Sequence, residues 1–160
     1  MRIGVVSDTH NNLRNIGRIA SLFRSAGVAR VIHTGDITQP PALRALAEVG
    51  VPILGVFGNN DERAALAEAA IPVQAQLEEP PFTWELASRR ILVVHDPEEF
   101  PDGPITDCDV LLHGHTHRRT LEATPERLLL NPGECAGHLA GHQTVAVVDL
   151  ETLTPELLHF

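Results

Sequence analysis

The fold is indicated first by residues 2–10, RIGVVSDTH, where a run of β-branched side chains stops at Asp8 and His10. Apolar runs this short, separated by helix-like stretches, are typical of buried strands. Ligands of open α/β sheets gather at the carboxyl ends of strands, so we expect the side chains at such run ends to meet at one edge of a sheet. Four further runs end at potential metal ligands: Arg30–Gly35 at Asp36, Pro52–Gly58 at Asn59, Arg90–Val94 at His95, and Asp109–Leu112 just before His115 and His117.

Strand-like and helix-like segments alternate through the first half of the chain. Apolar residues recur at helical spacing between Asn12, a suitable N-cap, and Gly27, a suitable C-terminal stop. Pro40 favours the start of a second helix, and Asp61 can cap a third helix that runs to about Ala70. This alternation of strands and helices predicts a parallel sheet.

The second half of the chain shows strand patterns with little helix between them. Residues Phe82–Leu86 and Arg90–Val94 predict a hairpin. Further strands are predicted at Leu128–Leu130, Gln143–Asp149 and Glu156–His159. We therefore expect a second, more antiparallel sheet.

The composition is that of one compact domain. The chain has 160 residues, of which 43% are hydrophobic, and this is enough for a single core. We expect one domain over residues 1–160, and a cytoplasmic location without a membrane partner, because no apolar run approaches the ~20 residues that span a bilayer. The formal net charge of −9 argues against a general nucleic-acid-binding surface, which needs a basic face. Cys108 and Cys135 lack the spacing of a thiolate cluster, and we expect them to pack in the interior.

The polar residues at the run ends share an affinity for metal ions. Each motif alone is weak evidence, because a chain with 9 histidines contains pairs such as His115 and His117 by chance. Together the motifs are stronger evidence, since a buried histidine needs one hydrogen-bond partner whereas a cluster of His, Asp and Asn needs a cation. A mixed nitrogen and oxygen set without thiolate favours Mn²⁺, Fe, Co²⁺ or Zn²⁺ over Cu(I), Ca²⁺ or Mg²⁺.

The order of these motifs resembles that of a known enzyme family, the calcineurin-like metallophosphoesterases. The short chain, the Gly-His-Thr-His spelling and the Asn-Pro-Gly turn that follows are most similar to the small prokaryotic phosphodiesterases of that superfamily. The resemblance covers nearly the whole chain, to the turn at Gly133. Its ordered motifs are Asp-x-His at Asp8, Gly-Asp at Asp36, Gly-Asn-x-Asp at Asn59, a lone histidine at His95, and Gly-His-x-His at His115.

The resemblance implies a fold and a reaction. The fold would be an α/β sandwich of two mixed sheets flanked by helices, in four layers of order α/β/β/α. Two divalent transition-metal ions, Mn²⁺ first and Fe, Co²⁺, Ni²⁺ or Zn²⁺ as alternatives, would activate a bridging hydroxide for in-line attack on a small phosphoester, without a protein nucleophile.

The resemblance also assigns the candidate ligands of this binuclear centre. By position in the motifs, Asp36 would bridge the two ions. The first ion would also be held by Asp8, His10 and His117, and the second by Asn59, His95 and His115.

Two positions depart from the family pattern. Many members have a histidine after Gly-Asn that contacts phosphate and protonates the leaving oxygen, whereas this chain has Asn60. An amide can contact phosphate but cannot act as a general acid, a role that contributes ~10²–10⁴-fold, so we expect substrates with good leaving groups. Asp96 replaces the glycine that usually follows the lone histidine, and its carboxylate would either repel phosphate or orient a ligand histidine.

Two other functions are compatible with parts of the sequence. A non-catalytic, metal-binding scaffold for protein interaction is the main alternative, because the retromer subunit that resembles this family keeps the fold for protein binding. The complete ligand set counts against it. A zinc motif of the metallo-β-lactamase type, built on His113, His115 and His117, would need an Asp-His pair where this chain has His117-Arg118.

The sequence is compatible with a homodimer.

Among the remaining histidines, we expect His33 to be hydrogen-bonded in the core. We expect the three histidines outside every motif, His138, His142 and His159, to lie at the surface.

Overall fold

The computed structural model describes residues 1–160, which form three α-helices and eleven β-strands. The helices are α1 (Leu13–Ala26), α2 (Pro40–Ala47) and α3 (Arg63–Ala70). The strands, in chain order, are β1 (Arg2–Val6), β2 (Arg30–His33), β3 (Ile53–Val56), β4 (Ala75–Glu78), β5 (Phe82–Leu86), β6 (Arg89–Val93), β7 (Val110–Leu112), β8 (Thr120–Ala123), β9 (Leu128–Asn131), β10 (Thr144–Asp149) and β11 (Thr154–His159).

Six strands form the first sheet, in the order β11-β10-β1-β2-β3-β4. The parallel pairing of β1, β2 and β3 confirms what the alternation of strands and helices predicted. The expectation that the last strands build the second sheet is wrong, because β10 pairs antiparallel with β1, and β11 pairs with β10. An apolar run predicts a strand, but it does not specify the distant strand with which it pairs.

Five strands form the second sheet, in the order β5-β6-β7-β9-β8. The predicted hairpin is confirmed by the antiparallel pairing of β5 with β6. The interior of the sheet is parallel, since β7 pairs in parallel with both β6 and β9. This sheet is therefore mixed, and β8, which the apolar pattern did not predict, closes it as an exposed edge strand.

Apolar side chains fill two layers of core. The helices pack on the outer face of the first sheet, in a cluster that includes Phe23 and Leu43 from the helices and Val31 and Val147 from the strands. The two sheets pack face to face through a second cluster, which includes Ile32 from the first sheet and Val93 and Leu112 from the second. The predicted fold class, two mixed sheets flanked by helices, is confirmed. The outer face of the second sheet is covered by the segment after His95, which contains a short 3₁₀ turn at Pro97–Glu99.

The ends of the helices show which local signals acted as predicted. The backbone N–H of Asn15 donates to Oδ1 of Asn12 at 3.1 Å, and Gly27 ends α1 with a left-handed φ of 65°. The prediction that Asp61 caps α3 is wrong, because Glu62 is the N-cap position and makes no side-chain capping bond. The carboxylate of Asp61 instead accepts hydrogen bonds from the loops that follow β2 and β3.

The cysteines and the character of the helices were also predicted from the sequence. Cys108 and Cys135 are both buried and unpaired, as expected for packing residues. None of the helices has the length and apolarity that a membrane crossing requires.

Candidate metal centre

The candidate ligands follow strands whose carboxyl ends lie on the same side of the molecule. Within the first sheet, β1, β2 and β3 run in parallel, and β6 and β7 do so within the second. The loops after these strands contain an unusual backbone conformation. Positive φ angles between 41° and 64° occur at five candidate ligands: Asp8, His10, Asp36, His115 and His117. Such angles are uncommon outside glycine and cost about 1–3 kcal/mol each, so their concentration here indicates a site held by the surrounding structure.

Asp8, His10 and His117 form one group of converging donors, whose ligand atoms all lie within 4.8 Å of one another. Nε2 of His117 is 3.7 Å from Oδ1 of Asp8, and the two imidazole rings stack with centroids 5.3 Å apart. The other oxygen of Asp8 accepts hydrogen bonds from Oγ of Ser7 and from the backbone N–H of His115. Ser7 thus holds the carboxylate so that Oδ1 faces the group.

Asp36 lies between two histidines and presents one oxygen to each. Its Oδ2 is 3.4 Å from Nε2 of His10, and its Oδ1 is 3.5 Å from Nε2 of His95. Both oxygens also accept bonds from Asn60, from the side-chain amide at 2.8 Å and the backbone N–H at 2.9 Å. The carboxylate of Asp36 is therefore oriented with one oxygen towards His10 and the other towards His95.

Asn59, His95 and His115 form a second group. Oδ1 of Asn59 is 3.0 Å from Nε2 of His95 and 3.1 Å from Nδ1 of His115, and the two nitrogens are 3.3 Å apart. Nδ1 of His95 faces the carbonyl oxygen of Thr34 at 2.9 Å. Because a carbonyl can only accept, Nδ1 carries the proton and Nε2 presents its lone pair to the group.

The separations between these donor atoms fit ligands of shared metal ions. Two ligand atoms bound ~2.0–2.2 Å from one ion are separated by roughly 2.8–3.6 Å at octahedral or tetrahedral angles. The observed nitrogen–oxygen distances around Asp8 and Asp36 are 3.4, 3.5 and 3.7 Å. These distances are long for hydrogen bonds but close to what a common cation would produce.

Buried polar atoms without hydrogen-bond partners also indicate that these residues suit a metal ion. Oδ1 of Asp8 and Nε2 of His10 are buried and have no hydrogen-bond partner. Burial raises the pKa of Asp8 above its usual range, against the opposing effect of the Ser7 hydrogen bond. A buried carboxylate with an unpartnered oxygen is costly, and a cation would restore its charged form. The residues therefore suit a divalent metal ion.

The pKa of Asp36 is shifted in the opposite direction from that of Asp8. Burial acts to raise its pKa, but the hydrogen bonds from Asn60 and the nearby His95 and His10 outweigh it and hold the pKa below its ordinary value. Asp36 therefore remains a carboxylate over the physiological range of pH.

Glycines bring the loops into contact. A Cβ atom at Gly58 would overlap the carboxylate and backbone nitrogen of Asp36, and a Cβ at Gly114 would overlap Oγ of Ser7 and lie 2.8 Å from Oδ2 of Asp8. Glycine is therefore needed at positions 58 and 114, because atoms of Asp36 and of Ser7-Asp8 lie where a side chain at these positions would begin.

Asp61 ties two of these loops together. Its carboxylate accepts the backbone N–H groups of Gly58 at 2.7 Å, of Asp36 at 3.2 Å and of Thr38 at 2.5 Å. This role of Asp61 was not predicted from the sequence. Its position two residues after Asn59 in the motif was the available signal.

The two positions that depart from the family pattern both contact candidate ligands. The amide of Asn60 donates to Asp36, and its contact with a substrate phosphate stays a prediction. Oδ2 of Asp96 is 3.3 Å from Nε2 of His115, the nitrogen that faces away from Asn59. Of the two roles left open for Asp96, the geometry favours orientation of a histidine.

The remaining histidines divide between the core and the edge of the site. His33 is fully buried; the N–H of Gly35 donates to its Nδ1, and its Nε2 is 3.1 Å from Oγ1 of Thr9. His113 is also buried, and its ring packs edge-on against Phe100, outside both donor groups.

His138 is exposed, as expected, but it was not expected beside the site. Its ring stacks on His117 at a centroid distance of 5.4 Å and lies 5.6 Å from that of His10. The loop that follows the Asn-Pro-Gly turn brings it there, and no spacing in the sequence indicated it.

Residues 1–153 match the calcineurin-like phosphoesterase superfamily domain, and the chain belongs to this superfamily. Phosphodiesterase MJ0936 of Methanocaldococcus jannaschii is 31% identical over 156 residues, which are 94% of each chain. Phosphodiesterase YfcE of Escherichia coli is 26% identical over 153 residues, covering 83% of this chain and 78% of the relative. The predicted resemblance to small prokaryotic phosphodiesterases is thus confirmed.

Solved structures show the same fold. An archaeal phosphodiesterase structure superposes with a TM-score of 0.87 at 28% identity and covers 100% of both chains. Vps29 of Chaetomium thermophilum superposes with a TM-score of 0.69 at 16% identity, covering 100% of this chain and 96% of that one. At that identity the likeness to Vps29 concerns the fold alone.

Proposed function

We propose that the protein is a metal-dependent phosphodiesterase that hydrolyses small phosphoesters. One observation carries the proposal: side chains from both sheets converge on Asp36, whose two oxygens face His10 at 3.4 Å and His95 at 3.5 Å, in a chain of the calcineurin-like phosphoesterase superfamily. The relatives MJ0936 and YfcE are named phosphodiesterases.

The donor groups suggest how two metal ions would be held. Asp36 would bridge the ions, with Mn²⁺ as the first candidate and Fe, Co²⁺, Ni²⁺ or Zn²⁺ as the alternatives. When bound, such ions supply an activated water and positive charge for the phosphoryl oxygens. One ion would also be held by Asp8, His10 and His117, and the other by Asn59, His95 and His115.

The side chains around the ligands keep them in position. The carbonyl of Thr34 sets the tautomer of His95, and Asp96 orients His115 from the side away from the site. Asn60 holds Asp36 and lies at the exposed side of the centre, where its amide can also meet a phosphate oxygen. No serine, cysteine or threonine is needed as a nucleophile in this arrangement.

Charge explains how an acidic chain would attract a phosphoester. The chain has a formal net charge of −9. Two divalent ions would bring four positive charges against the two negative charges of Asp8 and Asp36. The centre would keep a local charge of about +2, and this would draw an anionic group to it.

Metal analysis combined with an ester panel tests the proposal. The protein is loaded separately with Mn²⁺, Ni²⁺, Co²⁺, Zn²⁺ and Mg²⁺, its metal content is measured, and hydrolysis of phosphomonoesters and phosphodiesters is followed. We expect two ions per chain and faster hydrolysis of diesters. A loaded protein that hydrolyses none of the esters would contradict the proposal and favour the non-catalytic scaffold.

The substitution Asp36→Asn tests the bridging role. We expect it to remove activity and most of the bound metal, because Asp36 is the carboxylate that faces His10 with one oxygen and His95 with the other. Asp149→Asn is the matched control, since Asp149 lies at the end of β10 and pairs with the N-terminal amine at 3.7 Å. Undiminished metal content in Asp36→Asn would exclude the bridge.

A further inference from the structure

A groove of about 430 Å³ adjoins the candidate metal centre. One of its walls is His117, whose Nε2 also faces Asp8 in the first donor group. A molecule bound in this groove would therefore be separated from the centre by a single imidazole ring. The groove is formed by the segment after His117, the turn at Gly133 and the loop that precedes β10.

The groove is basic in a protein that is otherwise acidic. Arg118 and Arg119 both line it, together with His142 and His159. Both arginines are exposed. The arginines that form ion pairs within the chain lie elsewhere: Arg2, Arg63, Arg89 and Arg90. Arg118 and Arg119 therefore leave their guanidinium groups free for an external anion.

The one acidic group in the groove is already engaged. Glu134 is buried, with 1% of its surface exposed. Its Oε1 accepts the backbone N–H of His138 at 2.9 Å, and its Oε2 faces the amide of Gln143 at 3.4 Å. Both carboxylate oxygens of Glu134 therefore have hydrogen-bond partners within the protein, whereas the guanidinium groups of Arg118 and Arg119 are exposed.

We infer that this groove is a subsite for a second anionic group of the substrate, and that Arg118 and Arg119 recognise it. The substrate class is then a phosphodiester that carries a further phosphate, as in a nucleotide with two phosphate groups. The inference rests on the proposed phosphodiesterase function. Guanidinium groups suit this role because their planar array of donors matches phosphate oxygens.

The placement also explains how an acidic protein could select a doubly charged substrate. Long-range repulsion from the rest of the surface is screened within about 8 Å at physiological ionic strength, so the sign of the field in the groove is set by its lining groups, in which two arginines outnumber the one carboxylate of Glu134. The scissile phosphate would bind at the centre beyond His117, and the second phosphate would bind in the groove.

Two esters that differ by one phosphate test the inference. They are the p-nitrophenyl ester of thymidine 5′-phosphate and the same ester with a 3′-phosphate. We expect the metal-loaded protein to show a higher kcat/KM for the bisphosphate. In the double variant Arg118→Gln/Arg119→Gln, we expect this preference to fall by about tenfold or more, as for loss of a charge-assisted hydrogen bond.

Arg44→Gln is the matched control for the change in charge. Arg44 is an exposed arginine in the last turn of α2, outside the groove, and its substitution should leave the preference between the esters unchanged. Isothermal titration calorimetry of the loaded protein with thymidine 3′,5′-bisphosphate and with thymidine 5′-monophosphate gives a second readout that does not depend on turnover.

The outcomes separate the two proposals. If neither ester is hydrolysed, the phosphodiesterase proposal fails, and calorimetry still measures whether the groove selects a second phosphate. If both esters are hydrolysed but the bisphosphate is not preferred, the subsite is overturned. The same holds if the preference survives in the double variant or disappears equally in Arg44→Gln.

Discussion

Substitution of Gly58 by alanine would test whether the close approach of two loops creates the metal centre. The added Cβ would overlap Oδ1 and the backbone nitrogen of Asp36 and would lie 2.9 Å from its Cγ. Most of these atoms cannot rotate away, because the amide of Asn60 and the carboxylate of Asp61 hold Asp36 in place. The two loops must therefore separate.

The size of the effect follows from the contacts that are lost. Relief of the overlap requires a shift on the order of 1 Å, and overpacking of this kind costs about 1–3 kcal/mol. The hydrogen bond from the N–H of Gly58 to Asp61, now 2.7 Å long, would also be strained, at a further cost of about 1–3 kcal/mol. A displacement of ~1 Å can weaken a site by about 100-fold, because ligands must lie within ~0.2 Å of their proper distances.

Urea unfolding of the metal-free protein would measure the loss of stability, and calorimetric titration with Mn²⁺ would measure the loss of affinity. Gly17→Ala is the matched control, since a Cβ at this position in α1 has no atom within 4 Å. There alanine should stabilise the protein by about 0.5–1 kcal/mol, because glycine weakens a helix interior. A Gly58→Ala variant with the unfolding free energy and the metal affinity of the unsubstituted protein would show that the close approach of the two loops is not required.

Two further predictions concern His33 and Asn60. Burial lowers the pKa of His33 from 6.5 to about 3. Between these two pH values the unfolded chain binds more protons than the folded protein does. The free energy of unfolding should therefore decrease by up to ~1.4 kcal/mol for each unit by which the pH is lowered in this range. Urea unfolding at several pH values should show a weaker dependence in His33→Gln, and an unchanged dependence would contradict the assignment. Without a general acid at Asn60, kcat/KM should favour aryl over alkyl phosphodiesters, and Asn60→His should raise the alkyl rate selectively, by up to ~10²-fold. An equal change for both esters would show that another group supplies the proton.

The local elements and the chemistry of the donors could be predicted from the amino-acid sequence. The βαβ alternation predicted the parallel strands β1, β2 and β3, because apolar periodicity and capping residues act over a few neighbouring positions. The cap at Asn12 and the stop at Gly27 belong to the same class of local signal. The placement of polar residues after apolar runs predicted which side chains would meet, since parallel strands end at a common edge.

The pairing of distant segments and the surroundings of the donors could not be predicted from the sequence and are seen only in the folded chain. The strand β10 joins the first sheet, and Asp61 ties two loops instead of capping a helix, because its partners come from loops of different strands. His138 reaches the ring of His117 only through the course of its loop. The groove with Arg118 likewise depends on segments far apart in the chain. Such contacts depend on long-range packing, for which a short stretch of sequence has no local energetic signal.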